Sequence, residues 1–193
     1  MRYLSSAIAF ILIVVVLFFG VTLIRNQLSS NKTAVVNVVK LPLSDYKKSG
    51  TKLRFIISGP TVAEENKREL VYEISQSGRR VKLLKGYNGT LVKEEVLANN
   101  YSAYDEFADA LFMSGFTKAR SGVSDSKYTG DCPSGNLYTT ELISAEGDVQ
   151  SSLWQSSCTT KKGTLNASYS TILKLFKDQF PNYKSFSTDI SID

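Results

Sequence analysis

The side chains that carry most enzyme chemistry are sparse in this chain, which has no histidine and only two cysteines. Ser-His-Asp catalysis, Cys-His catalysis and histidine-ligated zinc are therefore excluded. The sequence also contains no P-loop, no dinucleotide-binding glycine motif, no G-x-S-x-G motif and no EF-hand loop. We expect neither a metal ion nor an organic cofactor.

Two kinds of catalytic site need no histidine. A Ser-Lys dyad could use Ser124 and Lys127, an S-x-x-K pair in a long polar segment, although the accompanying S-D-N and K-T-G motifs are missing. A pair of carboxylates could hydrolyse glycosides, and Asp105 and Asp109 lie about one helical turn apart. Acidic side chains on a solvent-exposed helix face have the same spacing. A hydrolase is therefore an alternative interpretation.

Basic side chains are the candidates for ligand binding. Four of them cluster on one predicted strand: Arg79, Arg80, Lys82 and Lys85. Arg80 and Lys82 share a face of that strand, and each could add about 1 kcal/mol near an anionic surface. An ordinary solvent-exposed strand has the same composition. Lys127 and Tyr128, in the polar segment 117–136, form the second candidate site.

The charge balance predicts no nucleic-acid partner. The net charge is +5, but without Arg2 and Arg25 the chain has 21 basic and 18 acidic side chains, a net charge of +3. An excess this small does not predict binding to a polyanion.

An uncharged segment, Leu4–Ile24, lies between those two arginines. As an α-helix its 21 residues would be about 31 Å long, the thickness of the hydrocarbon core of a bilayer. A signal peptide has a shorter apolar region of about 7–15 residues and a small-x-small cleavage site, and no such site follows here. We therefore predict an uncleaved transmembrane anchor over residues 1–25. A cleaved signal peptide is the alternative.

The two cysteines flank a predicted β-hairpin. Its strands are Leu137–Ile143 and 149–155, joined by a polar turn that contains a glycine. If Ile143 pairs with Val149, extending both strands brings Cys132 and Cys158 nearly opposite each other. We predict a disulfide there, which requires an oxidising compartment outside the cytoplasm. The predicted orientation has the N-terminus in the cytoplasm.

The remaining chain is divided into a short polar tether, residues 26–33, and one domain, residues 34–193. Strand patterns occur at 34–40, 51–58, 70–75 and 79–84. Helical spacing occurs at 101–112, closed by Gly115, and again after Ser168 or Ser170 until Pro181. This order predicts an α+β fold: a mainly antiparallel sheet with two helices packed on it and one disulfide.

Several short motifs occur in a fixed order along the chain: Ser58-Gly59-Pro60, Gly86-Tyr87, Asn99-Asn100, Ala103-Tyr104, Gly115-Phe116, Cys132, Leu137-Tyr138, Trp154, Cys158 and Leu175-Phe176. This ordered set resembles uncharacterised single-pass membrane proteins of Saccharibacteria, which are ultrasmall host-dependent bacteria. The resemblance covers the apolar segment and most of the following domain. It implies a bacterial protein facing the cell envelope, and it implies no catalytic residue because that group has no established activity.

These observations predict a membrane-anchored binding or structural module of the cell envelope, with no catalysis. Its partners would be the lipid bilayer, through Leu4–Ile24, and an envelope polymer or another envelope protein. An extracytoplasmic hydrolase with a Ser/Lys or paired-carboxylate site is one alternative. An accessory subunit of a membrane complex is another, since Ser5 and Ala9 have the spacing of close helix contacts.

Overall fold

One antiparallel sheet of six strands forms the centre of the fold. The fold is taken from a computed structural model, which describes residues 41–121, 123, 132–158, 163–188 and 190. The strands are β1 (Lys52–Ser58), β2 (Arg68–Ser75), β3 (Gly78–Lys85), β4 (Thr90–Ala98), β5 (Leu137–Ile143) and β6 (Val149–Ser156). The helices are α1 (Leu43–Tyr46), α2 (Tyr101–Ser114), α3 (Tyr169–Lys177) and α4 (Lys184–Ser187).

The order of the strands brings distant parts of the chain together. They lie in the order β4-β3-β2-β1-β5-β6, and each neighbouring pair is antiparallel. Whereas β1 to β4 follow one another in space, β5 returns to the other edge of β1. Ser58, the last residue of β1, therefore lies between Glu69 of β2 and Leu137 of β5.

Strands β1, β2 and β3 contribute alternate residues to a buried face. Phe55 is paired with Tyr72 on one side and Thr140 on the other, and all three side chains are buried. The intervening residues, such as Arg54 and Glu73, lie on the opposite face, which we call the open face. This alternation is the period of two that is characteristic of a sheet with one packed face.

Two helices with well-defined ends cover the buried face. Asn100 caps α2 by accepting the N–H of Ala103 at 2.9 Å, and α2 ends at Gly115, whose φ of 82° is a conformation that glycine accommodates. Ser168 caps α3 by accepting the N–H of Thr171. Residues of both helices join the hydrophobic core of the sheet: Tyr104, Phe107, Leu111, Ile172 and Phe176.

The structure confirms the main features of the predicted fold. The antiparallel sheet, the two longer helices packed on it and the Cys132–Cys158 disulfide are all present. The predicted anchor (1–25), tether (26–33) and first strand (34–40) lie outside the described residues. None of the helices in the described ranges has the length and apolar character that a membrane crossing requires.

Strand β4 is an element that the sequence patterns did not predict. Its centre carries Lys93, Glu94 and Glu95, and most of its residues are exposed. Because β4 lies at the edge of the sheet, it needs no continuous apolar stripe. Charged residues are common in such positions.

Three buried tyrosines differ in how their hydroxyl groups are satisfied. The hydroxyl of Tyr46 lies 2.7 Å from Oγ1 of Thr117, and the hydroxyl of Tyr104 donates to the carbonyl of Tyr46 at 2.7 Å. The hydroxyl of Tyr72 is buried and has no hydrogen-bond partner among the described residues. Burial raises the pKa of Tyr46 to about 12. Its side chain is therefore a neutral phenol at pH 7.

This difference predicts opposite effects of one chemical change at two positions. Tyr72→Phe removes a buried, unpaired hydroxyl, so the free energy of unfolding should stay the same or rise. Tyr104→Phe leaves the Tyr46 carbonyl without that donor and should lower the free energy of unfolding by about 1–3 kcal/mol. Urea denaturation of both variants measures the effect, and equal losses in the two would contradict the assignment.

Candidate functional site

The acidic pair proposed for hydrolysis is engaged by a lysine. The Nζ atom of Lys47 lies 2.8 Å from Asp105 Oδ1 and 2.9 Å from Asp109 Oδ1. Hydrogen bonds to these two carboxylates raise the pKa of Lys47. Glycoside hydrolysis needs one protonated acid and one ionised partner facing each other across the substrate. Here both carboxylates instead hold a shared ammonium group. The other catalytic candidates, Ser124 and Lys127, lie outside the described residues.

The basic residues of β3 do not form one cluster. The guanidinium of Arg79 donates to the carbonyls of Ala98 and Gln179, whereas Arg80 and Lys82 lie on the open face. Lys85 is exposed at the end of the strand. A role for these four residues in binding stays a prediction. Lys127 and Tyr128, the other predicted binding residues, are outside the described ranges.

Carboxylates accompany the cations of the open face. Arg54 lies 2.9 Å from Glu73 and 3.1 Å from Glu141. Glu94 lies 3.5 Å from the guanidinium of Arg80 and 3.8 Å from the amine of Lys82. Because each of these three cations has a carboxylate nearby, their attraction for an anionic polymer is reduced.

A cleft with a volume of about 480 Å³ lies at one end of the sheet. It is bounded by the turn after β1, at Gly59 and Pro60, by the loop before β5, at 134–136, and by Tyr169 at the start of α3. This volume is within the range of small-molecule sites, about 300–1,000 Å³. We call this site the end cleft.

The walls of the end cleft are cross-linked. The N–H of Thr61 donates to the carbonyl of Pro133 at 2.7 Å, which joins the first two walls. The disulfide holds the Cα atoms of Cys132 and Cys158 5.7 Å apart. Any side chain at Gly135 would collide with Cys132, so this turn packs directly on the disulfide. The cleft is therefore positioned by covalent and backbone contacts.

An aromatic pair forms one side of the end cleft. The rings of Tyr138 and Tyr169 are stacked, with centroids 3.9 Å apart and an angle of 9° between their planes. Tyr138 is buried, and its burial raises the pKa of its hydroxyl, which also hydrogen-bonds to Asn136 and Tyr169. Tyr169 is half-buried. Both tyrosines line the cleft, and their stacking fixes the position of the Tyr169 ring.

Two adjacent cations lie at this end of the sheet. The NH1 group of Arg68, which lines the cleft, donates to the carbonyls of Glu65 and Lys67 at 2.7 and 2.9 Å. The amine of Lys67 donates to the carbonyls of Gly59 and Pro60, and burial lowers its pKa. Neither cation has a carboxylate partner within ion-pair distance among the described residues.

The end cleft was missed by the sequence analysis because three distant segments build it. The sequence does contain a signal for two of the three walls. Ser58-Gly59-Pro60 directly follows a strand, and Ser134-Gly135-Asn136 lies between a cysteine and a strand. Both are turn sequences. Only the pairing of β1 with β5 places them side by side.

Comparison of the chain with protein-family models and with curated proteins finds no match. The interpretation of the end cleft therefore depends on its geometry.

Removing the disulfide should destabilise the domain without changing its fold. Its two cysteines are 26 residues apart, and closing a loop of this length stabilises a fold by about 3–4 kcal/mol in the chain-entropy model. The free energy of unfolding of the variant Cys132→Ala/Cys158→Ala should be lower by about that amount. Urea denaturation monitored by the fluorescence of Trp154 measures it. The reduced wild-type protein is the control and should match the variant. An unchanged midpoint in both would contradict the prediction.

Proposed function

We propose that the chain is a membrane-anchored binding module of the cell envelope and that its folded domain binds its ligand in the end cleft. The observation that carries this proposal is the composition of the cleft. A positioned tyrosine ring, one guanidinium and several hydroxyl and amide groups converge on one concave site. Sites of this kind, with an aromatic surface and a few fixed polar groups, are typical of ligand recognition.

The membrane and envelope parts of the proposal are supported by two sequence features. Leu4–Ile24 has the length and composition of a transmembrane helix. The disulfide at the base of the β5–β6 hairpin is of the kind that persists in an oxidising compartment. Together they favour a domain held outside the cytoplasm, close to its membrane.

Binding is favoured over hydrolysis by the groups that line the end cleft. Among its described side chains the single charged group is that of Arg68, which stays protonated and cannot act as a base. The Oγ atom of Ser157 accepts the N–H of Asn136 at 2.9 Å. These groups provide donors, acceptors and a flat apolar surface, which are the requirements of recognition.

Labelling of intact cells tests the location. A membrane-impermeant maleimide should label the full chain only after a reductant has opened the disulfide. The variant Cys132→Ala, which leaves the half-buried Cys158 as a thiol, should be labelled without reductant. If the Cys132→Ala variant is labelled only after the cells are lysed, the domain lies in the cytoplasm and this part of the proposal is overturned.

Co-sedimentation with envelope fragments of the native cells tests the binding site. Replacing Tyr169 by alanine should weaken retention of the full chain in detergent by roughly tenfold, or about 1.4 kcal/mol. Tyr101→Ala is the matched control, since Tyr101 is also the first residue of a helix but is 62% exposed and lies outside the cleft. Equal retention of the two variants, or no retention of the wild type, would overturn the proposal.

A further inference from the structure

We propose that the end cleft binds an acidic saccharide, with the ligand carboxylate on Arg68 and a sugar ring against Tyr169. This inference rests on the proposed function, because it names the ligand class of the same site. It follows from the charge of the cleft, from the shape of its aromatic wall and from the strands that surround it.

The charge of the cleft points to an anionic ligand. Arg54 and Arg80 each have a carboxylate partner on the open face, and Arg79 is bound to backbone carbonyls outside the cleft. Arg68 lines the end cleft, is the one charged side chain among the described residues that line it, and has no carboxylate partner within ion-pair distance among the described residues. A positive group without a counter-ion at the wall of a concave site favours an anion there.

The hydrogen bonds of Arg68 leave part of its guanidinium for a ligand. Both of its bonds to described residues are made by NH1, to the carbonyls of Glu65 and Lys67. These bonds hold the side chain in place. The Nε and NH2 groups donate to no described residue. Two parallel N–H groups on one edge of a guanidinium match the two oxygens of a carboxylate.

The aromatic wall points to a ring with an apolar face. Tyr169 is stacked on the buried ring of Tyr138 at 3.9 Å, so one of its faces is already covered. Tyr169 lines the cleft together with polar side chains such as Asn66 and Ser134. A sugar ring has C–H groups that pack against an aromatic ring, and hydroxyl groups that pair with amides and hydroxyls.

The surrounding strands disfavour an extended peptide as the ligand. Peptides commonly bind by adding a strand to an unpaired sheet edge. At the end cleft the strands stay paired up to or within one residue of their ends, Ser58 with Glu69 and Leu137 with Ser156. The cleft therefore has turns rather than a strand edge at its walls, and a compact ring fits it better than an extended chain.

Calorimetry on the full chain in nanodiscs, made with uncharged lipids, tests the ligand class. The probes are a uronic acid disaccharide, a muramic acid disaccharide and a neutral disaccharide of the same size. We expect at least one acidic probe to bind tenfold or more tightly than the neutral one. Arg68→Gln should abolish that preference, and Arg80→Gln, which removes the same charge from the open face, should change the affinity less than twofold.

The possible outcomes separate this inference from the proposed function. Equal binding of acidic and neutral disaccharides, or an unchanged preference in a folded Arg68→Gln variant, would overturn the acidic class. Binding of a tripeptide with a free C-terminal carboxylate, but of no disaccharide, would replace the saccharide by a peptide. If no probe binds while Tyr169-dependent retention on envelope fragments persists, this inference fails and the proposed function stands. If no probe binds and the Tyr169-dependent retention is also absent, this inference and the proposed function are both overturned.

Discussion

The packing of one phenylalanine joins the parts of this domain. The Phe176 ring lies 5.2 to 6.1 Å, between centroids, from four other rings: Phe107, Phe55, Phe116 and Tyr72. These contacts connect α3 to α2 and to the two central strands. Aromatic pairs of this kind are worth about 0.5–1.5 kcal/mol each beyond their buried area. Since α3 also begins with Tyr169, the position of Phe176 sets where the aromatic wall of the end cleft stands.

The cations on the open face and those at the end of the sheet have different partners. On the open face Arg54, Arg80 and Lys82 are each matched by a carboxylate within 3.8 Å. At the end of the sheet that carries the end cleft, Lys67 and Arg68 are held by backbone carbonyls instead. A carbonyl is a dipole and does not neutralise a cation. Among the described residues these two cations therefore lie at one end of the sheet without a carboxylate at ion-pair distance.

Much of the fold could be predicted from neighbouring residues. The helix over 101–112, its glycine at 115 and the β5–β6 hairpin all follow from periods of 3.6 or 2 and from turn residues. The disulfide was predicted from the same hairpin register. A bulge between Leu142 and Ile143 shifts the pairs that lie farther from the turn by one position. Strand β4 could not be predicted in this way, because an edge strand of charged residues has little apolar periodicity.

The sequence by itself determined the apolar segment at 4–24, the α+β pattern, the cysteine pairing and the absence of histidine chemistry. Each of these depends on residue types or on residues close in the chain. Tertiary structure alone decided that β5 pairs with β1 and that Arg68 and Tyr169 line one cleft. Such contacts join residues up to about one hundred positions apart. They form because burying one face of the sheet under α2 and α3 is favourable, and no local pattern records which segments that burial brings together.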